Sequence, residues 1–180
     1  MRSLFPLAIV AGFVAAAASS AAELKIVPAS TKIEFLGTKK GGSHTGGFKD
    51  VSGKVAVNGD EIAGVTVEIA TDSIHSDDAK LTQHLKAPDF FDVRNHPKAS
   101  FTSTKIAASK GAAATHEITG DLTLHGVKKS ITVPVKVSKS ADGVLIEGKF
   151  NLPREDFNMK YGKGMINNDV QVTLSIKAGK

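Results

Sequence analysis

The chain has 180 residues, a net charge of +5 and no cysteine, and these properties limit the class of protein to which it can belong. Without cysteine it has no disulfide bonds, which fits a protein with an adequate apolar core better than a small disulfide-stabilised scaffold. Its lysines are scattered instead of clustered, so the charge predicts no nucleic-acid partner and at most a weak preference for anionic surfaces.

Residues 1–22 are predicted to be an export signal that is removed from the mature protein. They begin with a positive charge at Arg2, continue with an apolar run from Leu4 to Ala18 and end in small residues before Glu23. The run is shorter than the roughly 20 apolar residues of a membrane-spanning helix, so an uncleaved anchor is the less favoured alternative. We therefore expect a single mature domain, residues 23–180, located in the periplasm.

Alternation of apolar and polar residues predicts β-strands along most of this domain. Ile33 and Phe35 alternate with charged residues in the first strand, and the same period of two recurs in later segments up to residues 169–177. About eight such strands, spaced by roughly ten residues, indicate an antiparallel sandwich or barrel. We favour the barrel because closure removes exposed strand edges and because eight strands leave room for one small ligand. Pro134 predicts that part of its strand lies at an edge or bulge.

A short helix is predicted between two of these strands. Leu81 and Leu85 lie four residues apart, so a helix places them on one face, and Asp77 or Asp78 can cap its first turn. Pro88 ends this helix and begins a short turn. We expect the helix and the turn to form a lid with bulky apolar side chains against the sheet.

Three segments of the chain resemble the YceI-like family of periplasmic polyisoprenoid-binding proteins. They are HLKAPDFFDVRNHPKASF at residues 84–101, GDLTLHGVKKSITVPV at 120–135 and LPREDFNM at 152–159, in which Asn158 stands where the family has glycine. The resemblance implies a lipocalin-like antiparallel β-barrel with an elongated hydrophobic channel. It also implies that the ligand is a long-chain isoprenoid, an isoprenoid quinone or a similar fatty lipid and that no other cofactor is needed.

A lipid carrier of this kind needs an unfilled channel with apolar walls and a few polar groups at its mouth. The predicted channel residues lie on the strands, the lid and the LPREDFNM segment: Phe35, Phe48, Leu81, Leu85, Phe90, Phe91, Phe101, Phe150, Phe157 and Met159. The residues predicted to contact a head group are His84, Asp92, Arg154, Lys160 and Tyr161, with Lys163 as a further donor. The same phenylalanines can also fill the barrel as an ordinary core, and the sequence does not decide between the two.

No metal site and no catalytic site is predicted. The six histidines contain no pair at the i, i+2 or i, i+4 spacing of metal ligands, and the chain has neither an HExxH nor a GxSxG motif. The predicted function is that of a non-enzymatic carrier, which contacts the membrane transiently and forms a homodimer if apolar surface remains outside the barrel. Two alternatives stay open: an enzyme acting on an isoprenoid head group, and a packed barrel serving as a stress-related interaction domain.

Overall fold

The computed structural model describes residues 21–179. Residues 1–20 and Lys180 lie outside the described part of the chain, and with them nearly all of the predicted export signal. Within residues 21–179 no helix is long and apolar enough to cross a membrane. The described fold consists of eleven strands and one α-helix, joined by turns and short 3₁₀ helices: β1 Ala22–Ile26, β2 Lys32–Lys39, β3 Gly42–Phe48, β4 Val51–Asn58, β5 Glu61–Ala70, β6 Ile74–Ser76, α1 Ala79–Leu85, β7 Lys98–Ala108, β8 His116–Leu124, β9 Val127–Ser140, β10 Gly143–Pro153 and β11 Asp169–Gly179.

Eight of these strands form a closed ring. Antiparallel pairing runs in the order β1, β4, β5, β7, β8, β9, β10 and β11, and β11 then pairs with β1. The closing ladder is short, with Lys25 opposite Gly179 and Ile26 opposite Ala178. The prediction of an eight-stranded antiparallel barrel is confirmed.

The other three strands extend the barrel wall toward the helix. β1 and β2 lie one after the other along the same edge of β11, separated by the 3₁₀ turn Pro28–Ser30. β3 pairs with β2 on one side and with the three-residue strand β6 on the other. Because α1 follows β6 closely and contacts it, this extension carries the helix at one end of the barrel.

Alternate residues of the ring strands point inward and form the main core. In β5, Val65 and Val67 are buried while the intervening Thr66 is only partly so. Burial of such a side chain contributes about 1.5–3 kcal/mol relative to exposure. Two smaller clusters lie toward the helix: a second cluster of Ala99, Leu124, Phe157 and Met159, and a third of Ile74, Leu85 and Phe90.

The ring is incompletely hydrogen-bonded between β9 and β10. Their pairing ends at Gly148 and Val135, next to Pro134, and the first half of β9 pairs with β8. Proline has no N–H to donate to a neighbouring strand. The predicted edge at Pro134 is confirmed, and side chains of the second cluster, including Phe157 and Met159, pack against both strands beyond it.

Candidate functional site

The helix α1 begins at an aspartate cap and buries one face. The carboxylate of Asp78 accepts a hydrogen bond of 2.7 Å from the backbone N–H of Leu81, so Asp78 and not Asp77 is the N-cap. Leu81 and Leu85 pack in the same apolar cluster, as their spacing predicts. The helix ends at Leu85 with Lys86 as its C-cap, so it stops before Pro88, as the proline predicts.

Phe90 and Phe91 attach the turn after the helix to the barrel. Phe90 is 7% exposed and belongs to the third cluster. Phe91 meets Phe48 edge to face with ring centroids 5.6 Å apart, and Phe48 in turn lies 6.4 Å from Phe35. Aromatic contacts thus join the lid, defined here as residues 79–91, to β2 and β3.

Beneath the lid the barrel contains a cavity of about 450 Å³. Nine of the ten predicted channel residues lie in its wall: Phe35, Phe48, Leu81, Leu85, Phe90, Phe91, Phe101, Phe150 and Met159. The interior is therefore open and not filled by these side chains, a point that the sequence left undecided.

Aliphatic residues of the ring strands complete the cavity wall, and they were not among the predicted channel residues. On the ring strands they include Val65, Val67, Ile69, Ile118, Leu122, Ile131, Val133, Ile146, Val170, Val172, Leu174 and Ile176, and Ile33 adds to them from β2. Their alternation marks them as facing inward, but periodicity cannot distinguish side chains that fill a core from side chains that line a cavity.

Phe157 is the predicted channel residue that lies elsewhere. It is 1% exposed and packs in the second cluster, outside the cavity wall. The next residue, Asn158, has a left-handed backbone with φ 61°, a conformation that glycine adopts most easily. This reversal separates Phe157 from Met159, which does reach the cavity. The structure therefore assigns Phe157 to the core instead of the channel.

The cavity reaches the surface beside His84. The rings of His84, Phe90 and Tyr161 contact one another, with centroids 4.9 Å apart for His84 and Phe90, 4.6 Å for His84 and Tyr161, and 5.3 Å for Phe90 and Tyr161. The Nε2 atom of His84 is 2.9 Å from a carboxylate oxygen of Asp89. Tyr161 lines the cavity and is 47% exposed, so its ring borders both the cavity and solvent. These three rings form the mouth, where two predicted head-group residues, His84 and Tyr161, are in contact.

Arg154 is buried below the mouth and holds the loop that follows β10. Its guanidinium donates to four backbone carbonyls, those of Met159 at 2.6 Å, Tyr161 at 2.8 Å, and Ile166 and Asn167 at 3.1 Å. Arg154 is 4% exposed and lines the cavity. Within the described chain no carboxylate forms an ion pair with it, so carbonyl dipoles offset its buried charge.

Asp92 and Lys160, also predicted at the head group, lie outside the cavity wall. Asp92 accepts a hydrogen bond of 2.8 Å from the side-chain amide of Asn95, in the turn that follows the lid. Lys160 is exposed, and Lys163 pairs with Glu155 at 3.1 Å. The structure therefore brings together only the other three predicted head-group residues.

His44 lines the cavity from β3 and was not predicted at the site. Its Nδ1 is 2.9 Å from the carboxylate of Asp77, which also accepts a 2.9 Å hydrogen bond from the backbone N–H of Thr45. The hydrogen bonds from Thr45 and then from His44 hold the pKa of Asp77 below its ordinary value of 3.8. No spacing pattern indicates this contact, because His44 lies in β3 and Asp77 in the turn between β6 and α1, 33 residues later.

Comparison with known sequences gives a consistent set of relatives. The profile of the YceI-like domain matches residues 24–178. Protein YceI of Escherichia coli is 34% identical over 142 residues, which cover 73% of this chain and 72% of that protein. A UPF0312 protein of Pseudomonas aeruginosa is 34% identical over 119 residues, which cover 63% of this chain and 61% of that protein.

Solved structures with the same barrel include three bacterial proteins. BcnA of Burkholderia cenocepacia superimposes with a TM-score of 0.75 at 24% identity, over 84% of this chain and 98% of BcnA. A polyisoprenoid-binding domain of Saccharophagus degradans gives 0.69 at 15% identity, over 88% and 98% of the two chains. The YceI protein of Campylobacter jejuni gives 0.66 at 23% identity, over 75% and 84%.

Proposed function

This chain belongs to the YceI-like domain family, and from that premise we propose that it is a periplasmic carrier of a long apolar lipid. The proposed ligand is a long-chain isoprenoid or isoprenoid quinone. The observation that carries the proposal is the open, apolar cavity of about 450 Å³ inside the barrel. The likeness to a polyisoprenoid-binding domain supports the ligand class.

The wall of the cavity favours a chain of hydrocarbon over a compact polar molecule. Its depth is lined by aliphatic and aromatic side chains, and its volume lies within the range of about 300–1,000 Å³ that is usual for ligand pockets. Each methylene group transferred from water to such a wall contributes about 0.8 kcal/mol. Affinity therefore grows with the length of chain enclosed, without a need for specific hydrogen bonds.

Polar groups at the mouth would orient the ligand. His84 and Tyr161 border the opening, and Arg154 lies buried in the wall behind them. Four carbonyls occupy most of the five N–H donors of Arg154, so we assign the direct contact with a head group to His84 and Tyr161. Arg154 holds the loop on which Tyr161 stands.

The surface beside the mouth is suited to transient contact with a membrane. Met165 is 71% exposed and belongs to the same loop as the half-exposed Tyr161. A bridge between Lys39 and Ile166 places this loop next to the tip of the β2–β3 hairpin, where Lys40 is also exposed. Exposed apolar side chains among lysines can enter the interface of an anionic bilayer, so loading through the mouth requires no passage of the lipid through water.

Native mass spectrometry tests the proposal directly. The protein would be purified from a periplasmic extract without detergent, weighed intact, and then denatured so that any released molecule can be identified. We expect one long-chain isoprenoid lipid per barrel. A protein that arrives empty and also takes up no added prenyl lipid would overturn the carrier assignment.

A pair of lid variants tests whether the ligand lies beneath residues 79–91. Phe91→Asp places a charge in the cavity wall, so we expect it to reduce retained lipid at least about tenfold. Gln83→Asp adds the same charge to an exposed position of α1 and should retain lipid normally. Equal retention by the two variants, with both folded, would contradict the lid assignment.

A further inference from the structure

Asp92, His96 and His125 come together outside the cavity wall, at the end of the barrel that carries the helix. Each offers one ligand atom, an imidazole nitrogen or a carboxylate oxygen, and these atoms all lie within 4.8 Å of one another. The two imidazole rings meet edge to face, with centroids 5.1 Å apart and planes inclined at 86°. We propose that this Asp–His–His cluster binds a divalent transition-metal ion such as Zn²⁺.

Two turns of the fold position the three side chains. His125 and Gly126 connect β8 to β9 and have φ of 49° and 72°, as in the two-residue turns that match the twist of a β-hairpin. Asp92 and His96 belong to the turn after the lid, in which the backbone N–H of His96 donates to the carbonyl of Asp92 at 2.8 Å. The His96 ring lies directly over Gly126, where an added Cβ would come within 2.6 Å of it.

The hydrogen bond of His125 leaves a nitrogen free to bind a metal. Its Nδ1 is 3.0 Å from the carbonyl oxygen of Phe157, an atom that only accepts, so Nδ1 carries the hydrogen and donates. The lone pair of the neutral ring is therefore on Nε2. A metal-binding histidine commonly donates its other N–H to a carbonyl in this way, which fixes the orientation of the ring.

The cluster is not explained by hydrogen bonds among its own members. Among residues 21–179 no hydrogen bond or ion pair joins Asp92 to either ring, and Asn95 occupies one carboxylate oxygen at 2.8 Å. Asp92 and His125 also hold left-handed backbones, with φ of 44° and 49°. Such a conformation disfavours a residue with a Cβ, and bonds to a shared ion would offset it.

The donor set selects the kind of ion. Two imidazoles and one carboxylate suit Zn²⁺, Cu²⁺ or Ni²⁺, whereas Ca²⁺ and Mg²⁺ prefer oxygen ligands alone. Bonds of about 2.1 Å in a tetrahedral site place the ligand atoms about 3.4 Å apart, so small side-chain rotations within the present cluster complete the geometry. Three protein ligands leave one position for water, and the half-buried side chains let the ion enter from solvent.

Calorimetric titration with zinc chloride tests the proposal on protein purified without a histidine tag. We expect one Zn²⁺ per chain, and binding weakened at least about tenfold by His125→Asn or Asp92→Asn, since loss of even an outer partner of a metal ligand commonly has that effect. Asparagine tolerates the left-handed backbone at position 125, and Asn-Gly is a favoured hairpin turn, so the first variant should stay folded. His116→Ala, which removes a histidine at the opposite end of β8, should bind as the wild type does.

Thermal unfolding gives a second readout. Saturating Zn²⁺ should raise the melting temperature of the wild type and of His116→Ala, and should leave that of His125→Asn unchanged. Absorption spectra of the Co²⁺-substituted protein should show nitrogen and oxygen ligation that is lost in the same variant. Absence of zinc binding, or equal binding by His125→Asn and the wild type, would overturn the assignment.

Discussion

The guanidinium of Arg154 organises a loop that has little regular secondary structure. Its four bonds reach carbonyls of Met159, Tyr161, Ile166 and Asn167, so one side chain fixes both ends of the loop. A planar guanidinium can satisfy acceptors in several directions, whereas an ammonium offers three donors from a single atom. The loop that carries Tyr161 thus depends on an arginine and not merely on a positive charge.

We expect Arg154→Met to lower the free energy of unfolding by about 2–4 kcal/mol, because charge-assisted hydrogen bonds are lost and carbonyls are left unpaired. Arg154→Lys should recover less than half of this loss. Urea denaturation followed by circular dichroism measures the stability. Tyr161 is the only tyrosine and the chain has no tryptophan, so tyrosine emission reports separately on the loop. If Arg154→Met were as stable as the wild type, the loop would not depend on the hydrogen bonds of Arg154.

Asp77, which accepts hydrogen bonds from His44 and Thr45 of β3, makes the stability of the protein depend on pH. Because hydrogen bonds from Thr45 and His44 lower the pKa of Asp77 in the folded protein, its carboxylate stabilises the fold above pH 3.8. That contribution is lost as the pH falls through the pKa of Asp77 in the folded protein, which lies below 3.8. We expect the stability difference between the wild type and Asp77→Asn to be present at pH 6 and to shrink as the pH falls below 3.8. Urea titrations across this range measure it, and a difference that persists undiminished at pH 2 would contradict the assignment.

At the scale of the strand, Gly120 in β8 makes room for an aromatic part of the cavity wall. A Cβ at this position would lie 2.4 Å from the Phe101 ring and 2.5 Å from the Thr102 carbonyl oxygen. Gly64 in β5 has no such contact, since its nearest neighbour is the Cβ of Ala56 at 3.6 Å. The two glycines therefore differ in packing, although both lie within strands.

We expect Gly120→Ala to destabilise the protein by about 1–3 kcal/mol and to push Phe101 toward the cavity, because a packed strand cannot absorb the added methyl group. Gly64→Ala should be neutral or slightly stabilising. Chemical denaturation gives the two free energies, and the amount of prenyl lipid bound gives the effect on the cavity. Equal stability of the two variants would show that Phe101 moves aside freely.

Some strands and helices are predicted from the sequence better than others. The difference depends on whether the pattern that indicates an element lies within that element. Apolar alternation predicted most ring strands, and helical spacing with an aspartate cap predicted α1. The alternation pattern did not separate β1 from β2, because the 3₁₀ turn between them is only three residues long. β3 is rich in glycine and β6 has three residues, so neither presents enough apolar residues to alternate. β3 is defined by its hairpin with β2 and β6 by its pairing with the more distant β3.

The site shows the same division between local and distant signals. Apolar residues of the lid, the strands and the LPREDFNM segment were predicted at the cavity, and nine of these ten lie in its wall. Phe157 was misplaced because its direction depends on the left-handed turn at Asn158. The contacts of His44 with Asp77, and of His96 with His125, join turns and strands that are remote in the sequence, so they carry no spacing signal.

At the scale of the whole molecule, an open cavity lowers the stability of the barrel, because side chains that could fill it are missing. Val172 in β11 lines the cavity opposite Phe35 on one side and Phe150 on the other. Thr173, the next residue, is exposed, since successive side chains of a strand point to opposite faces. Adding a large apolar ring at these two positions therefore separates loss of cavity volume from any other effect of the ring.

We expect Val172→Phe to leave the stability of the ligand-free barrel unchanged or raise it, and to weaken lipid binding about 10- to 50-fold. The ring would displace two or three methylene groups of the ligand, each of which contributes about 0.8 kcal/mol to binding. Thr173→Phe should bind lipid as the wild type does. Fluorescence titration of Tyr161 with a prenyl alcohol compares the three affinities, and thermal unfolding compares their stabilities. If both variants lost binding equally, the loss would come from another effect of the added ring and not from the cavity volume. If both variants bound lipid as the wild type does, the deep part of the cavity would take no part in binding. The barrel would then hold its ligand at the mouth alone.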